Sequence, residues 1–171
     1  VTTIIGKSGT GKSVLLKHII GLLKPDEGNI LCRGHDIGGM GKAEWNDYTG
    51  KISYMFQNNA LFDSLTVYEN IEAPLLYQKI KSFERKGKIA EVLDRFNIVA
   101  KKDLFPYQLS GGQQQLVGIA RAIIAQPTLL LADEPTGNLD PTNTQRVLDI
   151  LLDAAEATGA EVEVGEVSLA F

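Results

Sequence analysis

The sequence holds one cysteine, Cys32, and two histidines, His18 and His35, among 171 residues. A single thiol has no intramolecular partner, so a disulfide framework is excluded and a reducing compartment is expected. No Cys/His spacing fits a zinc site, so Cys32 reads as a half-buried apolar residue and the histidines as solvated ones. No apolar run approaches the roughly 18 residues of a membrane span. The opening Val1-Thr2-Thr3-Ile4-Ile5 has no basic region before it, so no signal peptide is expected. Positive charge is in deficit: 17 Lys and Arg against 21 Asp and Glu leave a net charge of −4, which argues against a broad nucleic-acid footprint. Repeats and low-complexity tracts are also missing. What remains is a chain with 44% hydrophobic residues. A chain of this length buries about 70% of its unfolded surface, enough for one domain with its own core.

Strand and helix patterns alternate along the chain. Val1 to Ile5 reads as a strand entering a glycine-rich loop, Gly6 to Gly11. Lys12 to Leu23 carries Val14, Leu15, Ile19, Leu22 and Leu23, the pattern of a mostly buried helix. Asn29 to Ile37 predicts a hairpin and Lys51 to Phe56 a second buried strand. From about Leu65 to Val99 the pattern is helical and more charged, as expected of a helical subdomain. Lys79, Lys81, Arg85, Lys86 and Lys88 are expected on its solvated face. Gly112 to Ala125 is a further helix, with Gln113, Gln114 and Gln115 at its exposed start. Thr128 to Ala132 suits a central parallel strand. Pro141 opens a last helix, to about Ala157. Trp45 and Tyr48 are expected to pack at a subdomain edge. The alternation implies an α/β fold with a mostly parallel sheet and a small antiparallel β portion.

Two motifs carry chemistry. Gly6-Lys7-Ser8-Gly9-Thr10-Gly11-Lys12-Ser13 fits G-x-x-x-x-G-K-[ST], with a strand before it and a helix after it. Its glycines let successive N–H groups turn inward toward phosphate oxygens, and the following helix adds the positive end of its dipole. Lys12 reaches the β- and γ-phosphates, and the Ser13 hydroxyl ligates Mg²⁺. The run Leu129-Leu130-Leu131-Ala132-Asp133-Glu134 sets two carboxylates at the C-terminal end of a buried strand, the edge where open α/β sheets bind ligands. Asp133 is the expected Mg²⁺ residue, and Glu134 is placed to polarise an attacking water as general base. Together the motifs are strong evidence for a P-loop NTPase, a Mg²⁺-dependent nucleotide hydrolase.

Between them stands Leu109-Ser110-Gly111-Gly112-Gln113. With Gln57 after the second strand and Gly137-Asn138-Leu139-Asp140 after the acidic pair, it resembles the signature, Q-loop and D-loop of ATP-binding cassette (ABC) ATPases. The resemblance covers about residues 1 to 152. It implies a single cassette domain, with a P-loop core at 1–57 and 116–171 and an inserted α-helical signature subdomain at 58–115. It further implies that two copies pack head to tail as a homodimer around ATP. Ser110, Gly111, Gly112 and Gln113 of one copy would cover the ATP held by the phosphate loop of the other. Gln57 would reach Mg²⁺ and the attacking water, and Asp140 would contact the opposite copy. Transmembrane permease subunits would dock in a groove of the helical segment. The chain would then sit on the cytoplasmic face of the inner membrane, touching the membrane only through the permease and binding no nucleic acid. Lys12 to Ile19 and Met55 to Val67 look like the lipid-trafficking transporter ATPases, whereas Asp133 to Asp140 looks more like the lipoprotein-release and macrolide-export branch. The lipid-trafficking branch is the expected one.

Three features depart from that family. No aromatic strand precedes the phosphate loop to stack on adenine, a contact of about 1–3 kcal/mol by analogy with base–aromatic stacking. No histidine follows the D-loop helix. Glu161-Val162-Glu163-Val164-Gly165-Glu166-Val167 alternates where a continuous apolar strand is expected, which predicts an edge strand, a rerouted strand, or a segment not native to the family at all. These departures predict a chain truncated or altered at both ends that binds nucleotide better than it hydrolyses it. The competing readings are a cassette with little or no turnover and a non-transport cassette ATPase.

Overall fold

The computed structural model describes residues 2–4, 6–7, 9–32, 34–56, 59–136, 139–158 and 161–165. Four short strands, β1 (Thr2–Ile4), β4 (Ile52–Met55), β5 (Leu129–Asp133) and β6 (Glu161–Gly165), form one parallel sheet in the order β1-β6-β5-β4. Its middle is β5, whose Leu130, Leu131, Ala132 and Asp133 are all buried. An unbroken apolar run is what a strand covered on both faces requires. The Thr128 N–H donates to the Lys51 carbonyl at 2.8 Å and starts the register Ile52↔Leu129. Every strand therefore points its C-terminal end to the same edge, which carries the phosphate loop and the Asp133-Glu134 pair. A two-stranded antiparallel ribbon, β2 (Leu31–Cys32) with β3 (His35–Asp36), is the hairpin expected over Asn29 to Ile37.

The helical portion follows from its apolar stripes. In α3 (Val67–Tyr77), Val67, Ile71 and Leu75 recur every fourth residue and are buried, as are Ile89 and Leu93 of α4 (Ser82–Arg95). Both helices pack on α5 (Gly111–Ile124), which also lies against β4. Caught between sheet and helices, α5 is buried from Gln115 to Ala120. Arg85 is not on a solvated face: its Nε donates to Glu72 at 2.7 Å, with both side chains 18% exposed, and its guanidinium also reaches the Ile80 carbonyl. Pairing removes it from the basic stretch as a free surface charge.

The start of α3 is closed by a reciprocal cap. The Thr66 N–H donates to Glu69 Oε2 at 2.8 Å, and Thr66 Oγ1 accepts the Glu69 N–H at 3.3 Å. The Thr66 N–H, foremost, and the Thr66 hydroxyl, which also donates to Glu69 Oε2 at 2.9 Å, hold the Glu69 carboxyl below its usual range. A lowered pKa contributes stability above the unfolded carboxylate range, and that contribution is lost as pH falls through the folded value. Replacing Thr66 with alanine should lower the unfolding free energy by about 1 kcal/mol in urea denaturation.

Three expectations change here. The helix after the phosphate loop, α1 (Lys12–Ile19), is shorter and less buried than its apolar content predicts. Only Leu16 is fully buried, while Val14 and Leu15 are 47% and 48% exposed and Leu22 and Leu23 lie beyond its end. Gly21 stops it: at φ +69°, the Gly21 and Leu22 N–H groups turn back onto the His18 and Lys17 carbonyls. The glycine is also obligatory on space, since a Cβ there would stand 2.0 Å from the Trp45 ring. A helix absent from the sequence reading, α2 (Lys42–Gly50), has no buried residue and so shows no clear apolar period. Its Trp45 and Tyr48 pack internally, and the Tyr48 hydroxyl donates to the Ile19 carbonyl at 2.6 Å. Finally, the alternating tail is not an edge strand. β6 pairs in parallel on both sides, with Glu163 opposite Thr2 and Leu131. Alternation reports the two faces of a strand, whereas edge position depends on its backbone neighbours in the ladder.

Candidate functional site

The loop between β1 and α1 is shaped by backbone that only glycine adopts without strain. Gly9 and Gly11 have φ +81° and +93°. Gly11 is the residue before α1, and no side chain caps that helix, so the positive end of its dipole faces this loop. The Lys12 ammonium folds back across the loop and donates to the carbonyls of Gly6 and Lys7. Thr10 closes the turn, its hydroxyl donating to the Lys7 carbonyl at 2.8 Å. Ser8 lies outside the described residues.

The acidic strand end meets this loop. Ser13 Oγ donates to Asp133 Oδ1 at 2.9 Å across 120 residues of sequence, and the Tyr54 hydroxyl faces Asp133 Oδ2 at 3.3 Å. Asp133 is 6% exposed, so its carboxylate is held by neighbours rather than by water. Burial first, and then the Asp133 charge, push the Tyr54 phenol far above its usual range, so it stays a donor. A hydroxyl and a carboxylate on one small site are hard oxygen donors. Mg²⁺ takes such a set when phosphate oxygens and water complete its shell, so Ser13 and Asp133 fit that ion. Glu134 follows with φ +51°, an uncommon conformation for a residue with a side chain. It is followed by buried Pro135 and Thr136.

The signature and D-loop residues are helix caps. Ser110 precedes α5: its Oγ accepts the Gln113 N–H at 3.3 Å, and its own N–H donates to Gln113 Oε1 at 3.1 Å. Accepting that bond leaves the Ser110 O–H able to donate. Ser110 and Gly111 are exposed, with Gly112 and Gln113 half-buried behind them. Asp140 precedes α6 (Pro141–Thr158) and accepts from the Thr142 and Asn143 N–H groups, each at 3.1 Å, and from Asn143 Nδ2. The Asn143 bonds, foremost, hold its carboxyl below the usual range. Gln57, Gly137 and Asn138 lie outside the described residues.

Four side chains that sequence reasoning missed support these parts. Tyr54 is the first. Arg121 of α5 donates to the carbonyls of Asn59 and Ala60, at 2.7 and 2.9 Å. Both of those residues have positive φ, and they lie just beyond Gln57. Buried Asn70 bonds both backbone groups of Phe62 and the carbonyls of Leu65 and Thr66. Gln115, expected on an exposed helix start, is 1% exposed, and its Nε2 donates to the Pro135 carbonyl at 2.7 Å. Helical phase would have found it: Gln115 shares a face with Ile119, four residues on. Beside this frame a groove runs along Tyr54, Phe56, Phe62, Pro74, Tyr77 and Arg121.

Comparison with known proteins gives a consistent set of relatives. A family model described as ABC transporter matches residues 1–137. The ABC transporter ATP-binding protein YtrE of Bacillus subtilis is 42% identical over 152 residues, covering 88% of this chain and 66% of YtrE. The methionine import ATP-binding protein MetN of Corynebacterium efficiens is 44% identical over 164 residues, covering 96% of this chain and 46% of MetN. The chain thus spans about half to two-thirds of the length of these relatives. A dimeric, post-hydrolysis structure of the ATP-binding cassette MJ0796 with ADP and Pi matches with a TM-score of 0.89 at 34% identity, covering 98% of this chain and 75% of that one.

Proposed function

The chain belongs to the ABC transporter family, and on that premise we propose that it is a nucleotide-binding subunit that binds ATP and hydrolyses it to power transport through separate permease subunits. The observation that carries this reading is the Ser13–Asp133 hydrogen bond, which joins the phosphate loop to the acidic strand end at 2.9 Å. Mg²⁺ held by Ser13 and Asp133 would neutralise charge on the β- and γ-phosphate oxygens. Lys12 would leave the Gly6 and Lys7 carbonyls for those oxygens, exchanging neutral acceptors for anionic ones. The Glu134 carboxylate would take the proton of a water as its oxygen bonds to the γ-phosphorus and the bond to the β-γ bridging oxygen breaks. Ser110, Gly111 and Gly112 of a second copy would cover the same ATP, offering a hydroxyl and open N–H groups at a helix start. The groove beside Arg121 is the proposed seat of a permease segment, lined in part by Phe56 and Ala60.

The relatives are named for methionine import or, in YtrE, only as an ABC transporter ATP-binding protein. Lipid as cargo gains no support from them, and uptake of a small solute of the methionine type is the finer reading that they favour. A melting and light-scattering titration with MgATP tests the core of the proposal. At 100 times Kd, one bound nucleotide stabilises the fold by about 2.7 kcal/mol, and scattering should rise toward a dimer. A melting curve unmoved by MgATP at millimolar concentration overturns the reading.

A further inference from the structure

We propose that Gln115 is a positioning residue for hydrolysis: its side-chain amide fixes the turn that carries Glu134 and ties that turn to the helix whose start meets the second ATP. This rests on the ATPase reading above. Gln115 Nε2 donates to the Pro135 carbonyl at 2.7 Å, and both residues are buried. The other half of the amide, Oε1, is buried without a hydrogen-bond partner among the described residues. A leucine of similar volume would pack the same space with no polar atom to desolvate. The amide is therefore explained by the one bond it makes, not by packing.

That bond sits where the backbone needs support. Glu134 holds φ +51°, and a non-glycine residue persists there only where its surroundings over-determine it. On one side, Asp133 is fixed in β5 by pairing with β6 and by its contacts to Ser13 and Tyr54. On the other side, the Pro135 carbonyl is anchored by Gln115. The backbone that carries Glu134 is held between these two anchors. Gln115 also lies in the helix that Ser110 caps, about 7.5 Å along the axis from that cap at 1.5 Å per residue. Engagement of the Ser110–Gly112 end by the phosphates of the opposite ATP therefore reaches the Glu134 turn through one rigid helix and one hydrogen bond. In this way each chain links its two half-sites.

The test compares Gln115→Leu and Gln115→Glu with the parent by steady-state ATPase kinetics and by the MgATP melting shift. Leucine removes the donor and keeps the volume. It should lower kcat by about 10–100-fold, the scale of a misplaced catalytic group, with KM within about twofold and the melting shift retained. A buried glutamic acid has a raised pKa and, while protonated, donates an O–H to the Pro135 carbonyl. Gln115→Glu should therefore work at low pH and lose kcat as pH rises, a descending limb that the parent lacks. Gln115→Leu with parental kcat overturns the inference. So does a loss in both variants that follows only the folded fraction, with no new pH limb. A parent that neither shifts with MgATP nor releases phosphate overturns the ATPase reading itself.

Discussion

Alanine at Lys12 should remove most or all of the melting shift that MgATP gives the parent protein. The Lys12 ammonium already lies across the phosphate loop on the Gly6 and Lys7 carbonyls, so it is held at the mouth before nucleotide arrives. Removing one partner of a desolvated charge pair costs about 2–5 kcal/mol. That is roughly a 30- to several-thousand-fold weaker Kd at 1.4 kcal/mol per decade. At a concentration 100 times the parental Kd, the parent gains about 2.7 kcal/mol, a shift of about 5–10 °C for a domain of this size. A thousandfold loss in affinity reduces that gain to less than about 0.1 kcal/mol. Differential scanning fluorimetry of both proteins, with and without MgATP, reads the effect directly. The ligand-free midpoints separate lost binding from lost folding. An undiminished shift in Lys12→Ala would place the nucleotide elsewhere on the molecule.

Glutamine at Glu134 should uncouple binding from turnover. The substitution keeps the shape of the side chain and removes the proposed base, the group that would accept the proton of water. General-base catalysis contributes about 10²–10⁴-fold, so kcat should fall by at least about 100-fold. ATP affinity should stay within a few-fold, because in the proposed mechanism Glu134 would act on the water while Lys12 and the loop would hold the phosphates. The variant should also accumulate the ATP-bound dimer in light scattering, since closure persists until hydrolysis. Phosphate-release kinetics and mass measured on one preparation distinguish this outcome from a simple folding defect. Equal turnover in parent and Glu134→Gln would move the base to another residue.

Much of this site is legible in the chain itself, because its parts are local. The glycines at 9 and 11 announce positive φ, and the structure puts both there. Val67, Ile71 and Leu75 announce a helix with one apolar stripe, and that stripe is buried. The run from Leu129 to Ala132 announces a covered strand, and β5 lies in the middle of the sheet. The misreadings arise where a local pattern stands in for a non-local fact. Val14 and Leu15 look like core residues yet are half exposed, because burial depends on what packs over α1. The tail alternates like an edge strand yet lies between β1 and β5. Gln115 looks like one of three solvated amides, but the rotation of α5 turns only this one onto Pro135.

By itself, the sequence determined which chemical groups the protein has and in what order: a phosphate loop, a glutamine after the second strand, a signature at a helix start, and two carboxylates at a strand end. Backbone preference and side-chain period act over a few residues, so they can be read from a few residues. The tertiary structure alone decided which of those groups meet. It set Ser13 on Asp133 across 120 residues, Arg121 on the carbonyls beyond Gln57, and Gln115 under the turn of Glu134. Contacts of that kind follow from the joint packing of the parallel strands with α1 and α5, which no single segment encodes.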